Sequence, residues 1–115
     1  MKDFNGELLY KDKTYKLVFN LNVMESIQSE YDSIEKWGEL TDGKNGEPDA
    51  KAVIFGFTEM INEGIDIQNE DAEEKIPFLT RKQVGRMITE IGLTSATSTL
   101  NDTVINSTQS AEKNA

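Results

Sequence analysis

Residues 14–31 read Thr14-Tyr15-Lys16-Leu17-Val18-Phe19-Asn20-Leu21-Asn22-Val23-Met24-Glu25-Ser26-Ile27-Gln28-Ser29-Glu30-Tyr31, and their hydrophobic period changes part-way. Through Phe19 the pattern alternates. Tyr15, Leu17 and Phe19 fall on one side and Lys16 and Val18 on the other, the period of a strand. From Asn22 the apolar residues Val23, Ile27, Tyr31 and then Ile34 recur at helical spacing and form one stripe. A strand that feeds an amphipathic helix, with more helices to follow, sets an α+β class.

Upstream, Glu7-Leu8-Leu9-Tyr10 reads as a partner strand, and Lys11-Asp12-Lys13 is short and polar enough for a tight hairpin. An isolated hairpin is marginal in water, so its apolar face must pack on helices or on another chain. Downstream, Asn22 is the expected cap of the first helix, with Glu25 in a capping-box position. Asp32-Ser33 bends the run, and Ser33 opens a short helix through Leu40 that contains Trp37. Thr41–Glu47 is a loop rich in Gly, Asp and Asn.

Pro48 and Asp49 open a third helix. Its face is Val53, Phe57, Met60 and Ile61, widened by Ile54 and Phe55, and Gly64 stands where a C-terminal glycine is wanted. Gly56 inside it costs about 1 kcal/mol relative to Ala and marks a close approach by a neighbour. Ile65 to Leu79 is expected to be a connector, with the acidic run Glu70-Asp71-Ala72-Glu73-Glu74. Thr80 with Gln83 caps a fourth helix on Val84, Met87, Ile88 and Ile91, ended by Gly92. Ala96, Leu100 and Val104 recur every four residues as a fifth, although its Thr, Ser and Asn are mediocre helix formers. The expected architecture is therefore an N-terminal β-hairpin packed on four to five short helices. Residues 1–105 form a single domain, and 106–115 a flexible, disordered polar tail.

Composition narrows the function. The chain of 115 residues carries 21 Asp+Glu against 12 Lys+Arg, with no His and no Cys. That length suits one domain. Thiolate chemistry, imidazole bases and ordinary zinc sites are excluded. The net charge of −9 disfavours a phosphate-backbone binder. No stretch is apolar enough to span a membrane and the first residues lack a signal-peptide core, so the chain is expected to be soluble and intracellular. The acidic residues concentrate between 21 and 78, as a solvated surface or as a face for a basic partner.

The sequence nominates no catalytic, cofactor or metal residue. Asp66, Gln68 and Glu70 alternate as in a calcium loop, but Asp71 occupies the glycine position and Pro77 the terminal glutamate position. Gly43-Lys44-Asn45-Gly46 lacks the phosphate-loop pattern and reads as a turn. Arg81, Lys82 and Arg86 form a basic cluster, either ordinary surface near Glu90 or a patch for an acidic partner such as another copy's acidic middle. That leaves a homo-oligomer open. The protein-binding surface expected is the apolar side of the hairpin, Tyr15, Leu17 and Phe19, with Trp37 and Phe55. The alternative for all five is core.

The order of segments resembles a family. The strand Thr14–Asn20 leads into Asn22–Tyr31. The short helix Ser33–Leu40, the Gly-containing loop and Ala50–Gly64 follow, the last ending Met60-Ile61-Asn62-Glu63-Gly64. Then come the acidic connector and Arg81-Lys82-Gln83-Val84-Gly85-Arg86-Met87-Ile88. Over residues 14–92 this is similar to the small tail assembly chaperones of long-tailed phages and prophages, particularly the gene-transfer-agent-like group. Where that group often places Gly before the short helix, this chain has Asp32, which tolerates a left-handed conformation. The resemblance implies a non-enzymatic protein of the bacterial host cytoplasm. It would bind the tape-measure protein, help recruit the tail tube protein, and be absent from the mature virion. In the family a frameshift often adds a C-terminal extension. The alternative is another phage-encoded acidic protein, such as a DNA mimic that inhibits a nucleic-acid-binding enzyme, with Glu25, Glu30, Asp32, Glu35 and Glu39 in place of phosphates.

Overall fold

The computed structural model describes residues 5–43 and 46–113, with side chains described between residues 6 and 107. The described chain is an antiparallel hairpin, β1 (Asn5–Tyr10) and β2 (Lys13–Val18), followed by five helices. These are α1 (Leu21–Tyr31), α2 (Ile34–Thr41), α3 (Ala50–Glu70), α4 (Arg81–Ile91) and α5 (Leu93–Lys113). The α+β class holds.

The hairpin turns on two residues. Lys11 and Asp12 both have positive φ (51° and 64°), the primed geometry that matches strand twist. Pairing runs from Tyr10↔Lys13 through Leu8↔Tyr15 to Asn5↔Val18. Leu8 and Leu17 lie on the core face. Val18, on the opposite face, is buried as well, because α3 packs across it: a Cβ built on Gly64 would lie 3.0 Å from the Lys16 carbonyl oxygen and 3.5 Å from Val18.

The helix starts follow local chemistry, with one shift from expectation. The cap of α1 is Asn20, two residues before Asn22. Its Oδ1 accepts from the Val23 N–H (3.2 Å), so the helix begins as soon as β2 ends. Asp32 ends α1 with the positive φ (79°) expected of it, and its N–H donates to the Gln28 carbonyl. Ser33 caps α2, Asp49 caps α3, and Thr80 with Gln83 completes a reciprocal capping box on α4.

The third helix is longer than expected. It passes through Gly64 without stopping and runs to Glu70, so the connector shrinks to residues 71–80. Gly64 serves close packing, not termination. α3 is the hub of the domain, touching β2, α1, α2, α4 and α5. Ala52, Val53, Phe57, Met60 and Ile61 on it are buried among Leu17, Ile27, Trp37, Val84 and Leu100. Gly56 does what its sequence position suggested: a Cβ there would run into the Trp37 ring, whose Nε1 donates to the Ala52 carbonyl (3.0 Å).

The last helix buries an unusual stripe. Ala96 and Leu100 are interior, but so are Thr97, Thr103 and Ser107. Their hydroxyls stay paired by donating back along the helix: Thr97 to the Thr94 carbonyl, Thr103 to the Thr99 carbonyl and Ser107 to the Thr103 carbonyl (3.0, 2.9 and 2.8 Å). This pairing lets polar residues face the core against Gly6 of β1, where a Cβ would meet Thr103. The helix continues past residue 105, where the polar tail is expected to begin. Ser107 is still packed, and the side chains beyond it lie outside the described residues.

Candidate functional site

A groove of about 220 Å³ lies between α1 and α3. From α3 it receives Glu59, Glu63 and Asp66, three carboxylates on successive turns of one face. From α1 it receives Val23, and from the connector Phe78, a ring 55% exposed.

Glu63 is held in place. Its Oε2 accepts from Asn20 Nδ2 (2.8 Å) and Asn22 Nδ2 (3.1 Å). Asn20 therefore works at both ends of its amide, capping α1 through the oxygen and fixing Glu63 through the nitrogen. The carboxylate sits beside the amino end of α1, where the helix dipole favours negative charge. Glu59 and Asp66 are in no ion pair among the described residues. Among the described residues no group of three or more His, Cys, Asp or Glu side chains is placed to hold a metal ion. The arrangement is suited to basic side chains, with an open aromatic face beside them for a cation or an apolar stem.

Phe78 owes its position to two asparagines of α3. Asn62 Oδ1 accepts from the Leu79 N–H (2.9 Å) and its Nδ2 donates to the Leu79 carbonyl (3.0 Å). Asn69 treats Ile76 the same way (2.8 and 2.9 Å). Seven helical residues rise about 10.5 Å, and three extended residues span about 10 Å. The two clamps therefore match in length, and the connector is laid antiparallel along α3 as an extended strap. Lys75 secures its start, donating to the carbonyls of Ala72 (3.0 Å) and Asn69.

The five residues nominated as a binding surface are not brought together. Leu17, Phe19 and Trp37 are at most 5% exposed and sit in the core, which corrects their assignment as surface. A marginal hairpin can be held only by burying that face, so the fold itself consumes it. Tyr15 is half-buried on the β2 side of α3. Phe55 is half-buried on the α1 side, edge-on to Tyr31 with ring centroids 5.5 Å apart. Sequence reasoning missed Phe78, Asn62 and Asn69. The available signal was the seven-residue spacing of the asparagines, but no helix was expected to extend that far.

Comparison with protein-family models, with curated proteins and with solved structures finds no match for this chain. No helix among the described residues is long and apolar enough to cross a membrane.

Proposed function

We propose that this chain is a tail assembly chaperone of the phage type. It binds a long, helical tape-measure protein, helps recruit tail tube subunits around it in the bacterial host cytoplasm, catalyses no reaction, and departs before the virion is complete. The resemblance over residues 14–92 suggests the reading. The observation that supports it in the structure is the open acidic groove between α1 and α3, with the exposed Phe78 ring beside Glu59, Glu63 and Asp66. A helical tape measure exposes apolar stripes until the tube encloses it, and such stripes aggregate. A groove that offers an aromatic face inside an acidic rim covers a stripe edged with Lys or Arg. The net charge of −9 keeps the coated complex dispersed.

The test begins with the DNA flanking the reading frame. A tail tube frame upstream and a very long frame downstream are expected, and the long product should be soluble and co-purify when co-expressed with this chain. Phe78→Ala combined with Glu59→Lys should weaken that recovery while the thermal midpoint stays put. Neighbours for restriction, repair or metabolism, or a long product that ignores this chain, overturn the reading.

One observation favours the DNA-mimic alternative: Glu25, Glu30, Asp32, Glu35 and Glu39 are all exposed along α1 and α2. Two of them are already engaged, Asp32 by Lys36 (2.8 Å) and Glu30 by Lys51 (3.6 Å), which thins the array. Steep loss of partner binding with salt, together with competition by DNA, would select that alternative.

A further inference from the structure

The hairpin has an open edge on the other flank of α3. A two-residue loop makes Tyr10↔Lys13 a pair that exchanges both backbone hydrogen bonds, and such pairs alternate along an antiparallel ladder. Leu8↔Tyr15 and Gly6↔Leu17 are then bonded pairs, and the N–H and C=O groups of Thr14, Lys16 and Val18 point away from β1. The position of Gly64 agrees, since it abuts the Lys16 carbonyl from outside the hairpin. At the Lys16 carbonyl the helix seals the edge. Nearer the turn, strand and helix leave a groove of about 250 Å³, walled by Tyr15, Ile61, Ile65 and Ile76. The N–H and C=O of Thr14 and the N–H of Lys16 have no hydrogen-bond partner among the described residues.

Three features of this groove converge. Unpaired strand groups beside an apolar slot are the setting in which an extended chain adds as a further strand, with main-chain bonds supplying affinity and the slot supplying selectivity. Its rim is basic: Lys13 and Lys16 border it and neither is in an ion pair among the described residues, Glu7 facing Lys16 across the hairpin without forming one. In a chain of net charge −9 this is a local reversal of sign.

We propose that the open edge of β2 is a docking site for a short extended segment of a partner protein, one that carries an apolar side chain for the slot and a carboxylate for Lys13 and Lys16. The segment adds beside Thr14 as a third strand. Gly64 closes the groove at one end and Ile76 on the strap borders it, so the site takes only a few residues. The groove lies on a different face of α3 from the acidic one, with the strap between them, so it stands whether or not the protein works in tail assembly.

The test uses the full chain, labelled for amide NMR, and a capped pentapeptide of alternating glutamate and valine. Saturable shifts at the Thr14 and Lys16 amides, with slowed hydrogen exchange there, are expected. The Lys13→Glu/Lys16→Glu double variant should bind about tenfold more weakly, as should a lysine–valine analogue. An analogue N-methylated on the edge that would face β2 should not bind. Unmoved Leu100 and Phe57 resonances in the double variant confirm that it is folded. Absence of shifts, shifts indifferent to N-methylation, or shifts at other residues overturn the proposal. So does concentration-dependent broadening of Thr14 and Lys16 without peptide, which assigns the edge to a second copy.

Discussion

The two flanks of α3 are built from one helix and differ in nearly every chemical respect. Towards α1 the helix presents Glu59, Glu63 and Asp66, and the space is open and acidic. Towards β2 it presents Ile61, Gly64, Ile65 and Gln68, and the space is apolar with a lysine rim. At 100° per residue these sets fall on separate faces, and Asn62 and Asn69, which hold the strap, fall between them. A small domain thereby obtains two surfaces of opposite character. A long central helix supplies both faces, and an extended strap pinned along it keeps them apart.

Gly64→Val attacks the β2 flank and should have the largest effect. Its side chain meets the Lys16 backbone, which cannot move without breaking the hairpin's packing. A loss of about 1–3 kcal/mol is expected in urea denaturation, the usual range for overpacking. Amide shifts should be concentrated in β2, with the α1 flank little changed.

Asn62→Ala attacks the divider. It removes both bonds to Leu79 and leaves that residue's N–H and C=O to water, at a cost of about 1–2 kcal/mol. Hydrogen exchange at Leu79 should accelerate more than at Ile76, which Asn69 still holds. The shape of both grooves should change together. If only one responds, the strap does not divide them.

Tyr31→Phe sharpens the α1 flank and should have the smallest effect at neutral pH. The Tyr31 hydroxyl is buried without a hydrogen-bond partner among the described residues, so its removal should leave stability unchanged or slightly higher. Burial raises the phenol above its ordinary value, and the Asp49 and Glu30 charges add to this against an opposing Arg81. The folded state therefore holds this proton more tightly than the unfolded chain. The linked stability is complete below the ordinary tyrosine value of about 10 and is lost as pH rises through the raised folded value. Denaturation between neutral and strongly alkaline pH should show a smaller alkaline loss in the Phe variant.

The core was far more legible in the sequence than the surface. Val23, Ile27, Val53, Phe57, Met60, Ile61, Val84, Met87 and Ile88 were all readable from helical spacing, because burial imposes a period. The Thr80–Gln83 box and the Ser33 cap were readable because they depend on neighbours three residues apart. Gly64 misled: a glycine late in a helix can end it or admit a neighbour, and only the approach of β2 decides which. The tail of α5 was hidden because threonines and serines can pair their hydroxyls within the helix, which leaves no mark in hydropathy. The acidic groove could be anticipated only as an acidic middle of the chain. Which carboxylates share a face depended on α3 continuing past Gly64, and which aromatic lay open depended on two asparagine clamps reaching across 17 and 7 residues.

On this reading α3 carries two separate grooves of opposite preference. The direct measurement is amide mapping of one labelled sample against two ligands, a lysine-edged amphipathic helical peptide and the glutamate–valine pentapeptide, added singly and then together. The first should move Asn22, Glu63 and Phe78, the second should move Thr14 and Lys16, and both sets should remain shifted when both peptides are present. Competition between the peptides, or one shared set of shifted residues, would contradict it.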